Sequence, residues 1–460
     1  MNLATKQLSH AELLELDARY CWHPFTQMQT ATAPLPVVRG QGEFLFDAQG
    51  NKYFDAVSSW WVNIHGHSNP AIAQAISRQA CELEHVMFAG VTHPPAALLA
   101  EKLIQHAPAP MAKVFYSDNG STAIEVALKM AFQYWQNRGV PSKKRIIALE
   151  GGYHGDTFGA MATGKSSGFY NPFAPWLFHV DFIPTGVCAC TEEEALAALD
   201  QLLADSAGEI AALILEPLIQ GASGMRFTRP AHVAELCKRC EAAGVLVIFD
   251  EVFTGFGRTG TLFAAEQVAQ FGGQPDIVCI SKGLTGGFMP MAATLTSQAV
   301  YDAFLSADVG HALLHGHSYT ANPLGCAAAL TSLTLFSNEA TWGAIERIEA
   351  THRRWLPALA CHPLIENPRV CGTVAAFELK SSQSQCGSAY GSGYGSNASQ
   401  WIRQTFLELG IVVRPLGNTV YWVPPYCTAP ETLENAYQTL MHVLQRWGSL
   451  IAPGPGSELF

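Results

Sequence analysis

Two residues that could carry chemistry, Lys282 and Asp250, each stand at the end of an apolar run typical of a strand. Lys282 follows DIVCIS and precedes Gly283, and Asp250 follows VLVIF. A carboxylate buried there needs a cationic or hydrogen-bonding partner, and a protonated pyridine nitrogen is one. A lysine amine can bind the carbonyl group of the same cofactor. The pair indicates a pyridoxal-phosphate site, although Lys282 alone also fits a solvated lysine, and Asp250 alone a helix cap or salt bridge.

Two glycine-containing segments could position the rest of such a cofactor. Asp118-Asn119-Gly120-Ser121 opens into a predicted helix, whose first N–H groups and dipole favour a phosphate. An ordinary capped helix start explains this segment equally well. Residues 150–156 (EGGYHGD) follow another apolar run, and their Tyr153 could stack on a ring or belong to the core. Neither segment is a Walker A or G-x-G-x-x-G motif, which weakens a nucleotide site.

These segments require a sheet that brings their strand ends together. From about residue 113 to 295, apolar runs alternate with helical patterns, which predicts an α/β fold with a mainly parallel sheet. Ligands of such sheets lie outside the carboxyl ends of the strands. The predicted strands are residues 113–117, 145–149, 212–215, 245–249 and 277–280, and the predicted helices are 121–137, 231–243 and 431–447.

The length of 460 residues favours more than one domain. We predict an N-terminal segment, 1–65, that contributes to a small domain and the active site, a large domain at 66–335, and a small α+β domain at 336–460. The small domain should have strands near 373–379 and 420–423. Residues 381–400, uncharged and rich in Ser and Gly, are predicted to be a mobile surface loop, and 452–460 a loose tail.

Composition excludes several classes of function. The net charge is −11 and no basic stripe is present, so nucleic acid is not an expected partner. No secretory signal or membrane span is predicted, and the 12 cysteines indicate reduced thiols in the cytoplasm. Cys237 and Cys240 lack a second pair at zinc-site spacing, and His315 and His317 lack a nearby third ligand, so no metal is assigned.

Residues 250–260 (DEVFTGFGRTG), followed by Ser281-Lys282-Gly283, resemble the class III aminotransferases. The resemblance implies a fold type I pyridoxal-phosphate enzyme that is a homodimer with active sites at the subunit interface. It also implies that Lys282 forms the Schiff base with the cofactor and that Asp250 pairs with the pyridine nitrogen. Val252 and Tyr153 would cover the two faces of the ring.

Within this class, Trp22–Met28 (WHPFTQM), Ser59-Trp60-Trp61 and residues 315–323 (HGHSYTANP) resemble a subgroup of biotin biosynthesis. That subgroup transfers an amino group from S-adenosyl-L-methionine to 8-amino-7-oxononanoate. The resemblance implies that the phosphate is held by Gly120, Ser121 and the neighbouring subunit's copy of Ser318. It implies a substrate pocket made of Phe25, Trp60, Trp61, Tyr153, Arg258, Gly316, Arg414 and Tyr421. Tryptophans suit an aliphatic chain and an arginine suits its carboxylate.

Three positions depart from the subgroup. It commonly has Tyr where Phe25 stands, which leaves the amino donor open, while Ser318 replaces a commoner Thr and His317 a commoner Pro. Two alternatives therefore remain. One is another class III enzyme, such as an ω-amino acid aminotransferase, a lysine-dependent enzyme or a 2,1-aminomutase. The other is a non-catalytic α/β protein that binds a nucleotide.

Overall fold

The computed structural model describes residues 8–164, 168–187, 190–206, 208–380 and 397–451. Within these ranges, no helix is both long enough and apolar enough to cross a membrane. The strands are β1 (Val37–Gln41), β2 (Phe44–Asp47), β3 (Lys52–Asp55), β4 (Met111–Ser117), β5 (Arg145–Leu149), β6 (Asp181–Ile183), β7 (Ile210–Leu215), β8 (Ile219–Gln220), β9 (Arg226–Phe227), β10 (Leu246–Asp250), β11 (Ile277–Ile280), β12 (Ala292–Ser297), β13 (Ile365–Cys371), β14 (Val374–Leu379), β15 (Ile411–Val412) and β16 (Thr419–Trp422).

Helices alternate with these strands, as the sequence pattern predicts. They are α1 (His10–Tyr20), α2 (Ser58–Trp61), α3 (Pro70–Glu82), α4 (Pro94–His106), α5 (Gly120–Asn137), α6 (Phe158–Thr163), α7 (Glu192–Ser206), α8 (Pro230–Ala242), α9 (Ala264–Ala269), α10 (Gln298–Asp302), α11 (Pro323–Leu335), α12 (Glu339–Ala360), α13 (Asn397–Glu408) and α14 (Pro430–Ile451). Short 3-10 helices span Gly168–Trp176, Lys282–Thr285 and Val309–His311.

The central sheet has the strand order β4-β12-β11-β10-β7-β5-β6. β11, β10, β7, β5 and β6 pair in parallel, whereas β12 is antiparallel to both of its neighbours. Every residue of β7 and β10 is buried, as expected for parallel strands covered on both faces. The predicted α/β fold with a mainly parallel sheet is confirmed, although β6 and the antiparallel β12 were not predicted.

Helix α5 shows how this sheet is stabilised. Its apolar side chains, including Ile124 and Ala127, pack in one buried cluster with Ile146 of β5 and Ile248 of β10. The helix begins where the side chain of Asn119 accepts a hydrogen bond from the N–H of Thr122. This cap fixes the first turn of α5 at the edge of the sheet where β4 ends.

The N-terminal and C-terminal parts of the chain share a second sheet. Its order is β1-β2-β3-β15, with β15 parallel to β3, so Ile411 lies beside Phe54. A third sheet, β13-β14-β16, includes both strands predicted near 373–379 and 420–423. These pairings agree with an N-terminal segment that contributes to a small domain, and the division at 65 and 335 stays a prediction.

The loop prediction for residues 381–400 is wrong at its end. Residues 381–396 lie outside the described ranges, but α13 begins at Asn397, so 397–400 form a helical turn rather than a loop. Residues 397–400 (NASQ) are small or polar, so the composition of this segment does not predict a helix. The predicted tail, 452–460, also lies outside the described residues.

Candidate active site

A cavity of about 660 Å³ opens at the carboxyl ends of β5, β7, β10 and β11. Each of these strands has a polar side chain that lines the cavity at or just after its carboxyl end: Tyr153, Glu216, Asp250 and Lys282. Gly120, Ser121, Val252 and Trp61 complete the part of the wall that the sequence predicts. The sheet therefore brings together residues separated by more than 150 positions, as parallel strand ends do.

Lys282 stands two residues after the end of β11, at the start of the 3-10 helix Lys282–Thr285. Its backbone has φ 39°, a left-handed conformation that costs free energy for a residue with a Cβ. The neighbouring Gly283 packs so closely that a Cβ there would lie 2.9 Å from Cβ of Phe256. This tight turn directs Lys282 into the cavity, where its Nζ lies 5.1 Å from the centre of the Trp61 ring.

The surroundings of Lys282 lower the pKa of its amine. Burial is the main cause, because it disfavours the charged ammonium; Arg258 also lowers the pKa, whereas Asp250 and Glu216 raise it. A lowered pKa gives a larger neutral fraction near neutral pH. Lys282 can thus act as a nucleophile toward a carbonyl group and as an acceptor of a proton.

Asp250 forms a buried pair with His154, a residue to which sequence reasoning gave no role. Nδ1 of His154 lies 2.7 Å from Oδ2 of Asp250, and both side chains are almost fully buried. The other carboxylate oxygen accepts the N–H of Val252 at 3.0 Å. With its proton on Nδ1, His154 donates to Asp250 and orients the carboxylate. The available signal was its place beside Tyr153 in the glycine-rich turn after β5.

Glu216 is a second buried carboxyl group that sequence reasoning missed. It follows β7, lines the cavity, and accepts the N–H of Tyr153 at 3.0 Å. Its pKa is raised to about 7, mainly by burial; His154 opposes the rise and Asp250 contributes to it. Tyr153 is half-buried, and its hydroxyl donates to Asp156 at 3.1 Å. Glu216 stands directly after the apolar strand β7, a position comparable to that of Asp250 at the end of β10.

The segment predicted to bind the phosphate lies where α5 begins, at Gly120 and Ser121. Gly120 packs against Val252 so closely that a Cβ at residue 120 would lie 2.7 Å from Cγ1 of Val252. Only glycine therefore brings the positive end of α5 to this wall. Oγ of Ser121 accepts the N–H of Thr157 at 3.0 Å and lies 2.8 Å from Oγ1 of Thr157, which joins the start of α5 to that of α6.

Trp61 lines the cavity, and it forms hydrogen bonds with Tyr421 and Arg258, two residues that were predicted to bind substrate. Nε1 of Trp61 donates to the hydroxyl of Tyr421 at 3.3 Å, and Tyr421 is buried. Arg258 is buried as well; it donates to the carbonyl oxygens of Trp61 at 3.2 Å and Pro424 at 2.9 Å. Neither Tyr421 nor Arg258 lines the cavity, so each contacts Trp61 on the side away from the cavity.

Phe25, Trp60 and Arg414 form what we name the outer cluster. The guanidinium carbon of Arg414 lies 4.1 Å from the centre of the Trp60 ring, and the Phe25 ring packs edge-on against Trp60 at 5.5 Å. Trp60 and Arg414 line a second cavity of about 250 Å³. Trp60 is the sequence neighbour of Trp61, but the outer cluster lies outside the lining of the first cavity.

Trp60 and Trp61 lie in a left-handed turn, α2, so their side chains point in different directions. Ser58, Ser59, Trp60 and Trp61 have φ values of 49°, 47°, 67° and 75°, each costing roughly 1–2 kcal/mol for residues with a Cβ. Hydrogen bonds offset this strain: Oγ of Ser58 donates to the carbonyl of Val423, and Oγ of Ser59 donates to Asp55. The turn directs Trp61 into the first cavity and Trp60 into the second.

Gly316 and Ser318 are not brought to the cavity of their own chain. They lie between the 3-10 helix Val309–His311 and α11, on a segment whose His315 contacts Lys129 of α5 at 3.1 Å. Among the described residues, no group of three His, Cys, Asp or Glu side chains is placed to hold a metal ion.

Comparison with known proteins gives a consistent result. Residues 26–444 match the family described as Aminotransferase class-III. The adenosylmethionine-8-amino-7-oxononanoate aminotransferase of Synechococcus elongatus is 46% identical over 92% of this chain and 98% of its own. The crystal structure of the Methanocaldococcus jannaschii enzyme of the same name superposes with TM-score 0.88 at 37% identity, covering 94% of this chain and 98% of that one. An amine transaminase from an uncultivated Pseudomonas species, in its PLP-bound form, has TM-score 0.84 at 30% identity, with 92% and 98% covered.

Proposed function

Since the chain belongs to the class-III aminotransferase family, we propose that it transfers an amino group from S-adenosyl-L-methionine to 8-amino-7-oxononanoate. The product would be 7,8-diaminononanoate, the diamine precursor of biotin. The observation that carries the proposal is the pairing of Lys282 with Asp250 in one cavity, in a chain 46% identical to an aminotransferase of that name. Family membership also removes the alternative of a non-catalytic nucleotide-binding protein.

The residues of the cavity fit pyridoxal phosphate. Asp250 supplies a carboxylate for the pyridine nitrogen, Lys282 an amine for the carbonyl group, and the start of α5 a cradle for the phosphate. When bound, the cofactor accepts the amino group and withdraws electrons from the carbon that carried it. The close contact between Gly120 and Val252 supports this assignment, because it leaves the helix start open to an anion.

The wall residues would divide the work. Asp250 would hold the cationic pyridine nitrogen, and the hydrogen bond from His154 keeps its carboxylate oriented. Nζ of Lys282 would hold the carbonyl carbon of the cofactor and, as a free amine, would accept the proton of the donor carbon. Tyr153 and Val252 would cover the two faces of the ring.

The substrate side uses the outer cluster and the residues behind Trp61. The substrate would contact both cavities: Trp61 and Tyr153 in the first and Trp60 in the second would provide apolar walls for the aliphatic chain, and Arg414, beside Trp60, would bind its carboxylate in a bidentate grip. Phe25 lies at the position that would meet the donor. Arg258 and Tyr421 belong to this pocket through their hydrogen bonds to Trp61, and Gly316 completes it by analogy with the subgroup.

The proposal includes a homodimer in the cytoplasm. In the subgroup the phosphate receives a hydroxyl from the neighbouring subunit, and Ser318 is the matching residue here. Its position outside its own chain's cavity supports this arrangement. The cysteines in the described residues are free thiols, in agreement with a reducing compartment.

A half-reaction experiment tests the substrate assignment. S-adenosyl-L-methionine, lysine and an ω-amino acid are added separately to the purified holoenzyme, and conversion of the cofactor to its amine form is followed by absorbance. The same protein carrying Lys282→Ala serves as the control. Conversion by S-adenosyl-L-methionine alone is expected. Conversion by lysine alone would change the donor, and conversion only by the ω-amino acid would favour the activity suggested by the similarity to the amine transaminase.

A further inference from the structure

Three side chains that follow β7 bind the backbone of the turn that carries Tyr153. Glu216 accepts the N–H of Tyr153, Nε2 of Gln220 donates to the carbonyl of Glu150 at 3.1 Å, and Oγ of Ser223 donates to the carbonyl of Gly151. We call these three residues the β7 clamp. They are 6%, 1% and 1% exposed, respectively, so the contacts lie in the interior of the protein.

Glu216 is the member of the β7 clamp that reaches the cavity. Its Oε2 accepts the N–H of Tyr153, and its Oε1 accepts the N–H of Gly221, both at 3.0 Å. The side chain thus joins the turn after β5 to the turn after β7. Because each oxygen has its own N–H donor, an amide in the same place would lose one of the two bonds.

The turn held by this clamp has little freedom to move. A Cβ at Gly151, whose φ is 78°, would lie 3.1 Å from both Oγ of Ser223 and the nearest nitrogen of Arg226. Two residues that line the cavity come shortly after Gly151 in the chain: Tyr153 and His154, and His154 contacts Asp250. A shift of the turn would therefore move the ring of Tyr153 relative to Asp250.

The location of Glu216 disfavours a charged carboxylate. It is buried near Asp250, a second carboxylate, and both burial and that neighbour raise its pKa. A chain that needed only a hydrogen-bond acceptor could use a neutral side chain. The two simultaneous N–H bonds give a reason to keep the carboxyl group.

We propose that Glu216 is a positioning residue for the cofactor, which acts by fixing the backbone of Tyr153 so that the tyrosine ring stacks on the pyridine ring. This rests on the proposed function, because it takes pyridoxal phosphate as the ligand. Glu216 contacts Tyr153 through its backbone and acts through that residue, so its loss weakens cofactor binding without removing the residues that contact the cofactor.

A binding measurement on the apoenzyme tests this role. Glu216→Gln is expected to raise the dissociation constant of pyridoxal phosphate about tenfold, the low end of the effect of losing a hydrogen bond to a charged group. Glu251→Gln is the matched control. Glu251 is also buried, has its pKa raised to about 7 by burial, and accepts two backbone N–H groups, those of Ala264 and Ala265, but it does not line the cavity. The control should lower the melting temperature and leave the dissociation constant unchanged.

A double-mutant cycle with Tyr153→Ala shows through which residue Glu216 acts. If it acts through the tyrosine ring, Glu216→Gln should have almost no further effect on cofactor binding once the ring is removed. An equal loss with and without the ring would overturn the proposal, and so would an equal loss in the Glu251→Gln control. Should Glu216→Gln not fold, Glu216→Asp is measured in the same cycle. If the unsubstituted protein takes up no pyridoxal phosphate, the proposed function fails, which is a separate result.

Discussion

The wall of the first cavity and the outer cluster are built in different ways. The wall residues Asp250, Glu216 and His154 follow strands of one sheet and are buried. In the outer cluster, Phe25 and Trp60 are 41% and 37% exposed, and they come from the N-terminal part of the chain. The wall is held by close packing and buried hydrogen bonds, whereas the outer cluster includes ring contacts around a strained turn.

This difference indicates which residues serve the reaction common to all aminotransferase substrates and which residues select the substrate. The groups that serve any substrate of an aminotransferase are fixed in the rigid sheet, and the groups proposed to choose the substrate lie in a less buried region beside it. Substitutions in the wall should therefore slow both half-reactions together. Substitutions in the outer cluster should change one half-reaction and spare the other.

The largest effect is expected for Lys282→Ala in the wall. Loss of the amine removes both the covalent link to the cofactor and the proton transfer, so transamination should fall by at least about 10³-fold. Steady-state rates measure the loss, and borohydride should no longer fix the cofactor to the protein. Lys238→Ala, at an exposed lysine of α8 outside the cavity, is the control. A Lys282→Ala enzyme with normal turnover would remove Lys282 from the mechanism.

A smaller effect, equal in both half-reactions, is expected for His154→Phe. The ring volume is kept, but Asp250 loses its 2.7 Å hydrogen bond from the imidazole. Losing a bond to a buried charged group costs about 1.5–3 kcal/mol, which corresponds to a rate loss of about 10- to 100-fold. Single-turnover rates with donor and acceptor measure it separately. A loss confined to one of them would contradict the assignment of His154 to the wall.

The wall residues were predictable from sequence because each follows an apolar strand, and parallel strand ends must meet. Lys282 and Asp250 lie on neighbouring strands, as expected. His154 and Glu216 stand at equivalent places, but their roles depend on partners from other strands, which sequence spacing does not reveal. Strand β12 was missed because its threonines and its place in a glycine-rich region conceal a buried strand.

The outer cluster was less predictable for a physical reason. The sequence predicts one pocket for the adjacent tryptophans, and the left-handed turn at Ser58–Trp61 places them in the linings of different cavities, so their shared role in substrate binding stays a prediction. Backbone strain of this kind has no signal in residue type. Arg258 was predicted to meet substrate, and its burial behind Trp61 follows from contacts with Pro424, far away in the sequence.

Arg414→Lys should affect only the acceptor half-reaction. Lysine keeps the positive charge but cannot form the planar bidentate grip, nor stack on Trp60 as the guanidinium does. We expect the KM for 8-amino-7-oxononanoate to rise about tenfold, the cost of one hydrogen bond to a charged group, while the donor half-reaction stays unchanged. Arg403→Lys, at an exposed arginine of α13 that lines the same second cavity, is the control. Equal losses in the two half-reactions would show that the outer cluster and the wall do not act separately.

The smallest effect is expected for Phe25→Tyr, because it adds one hydroxyl at the edge of the outer cluster. Phe25 is 41% exposed and packs edge-on against Trp60, so the added group should fit without disturbing the wall. One new hydrogen bond to the donor contributes about 0.5–1.5 kcal/mol, which predicts a 2- to 10-fold rise in kcat/KM for S-adenosyl-L-methionine. The rates with lysine and with the acceptor should not change. Phe271→Tyr, at a phenylalanine 49% exposed and outside the cavities described, is the matched control. A rise with lysine instead would mean that residue 25 selects a different donor, and no change with either would place donor recognition in the wall.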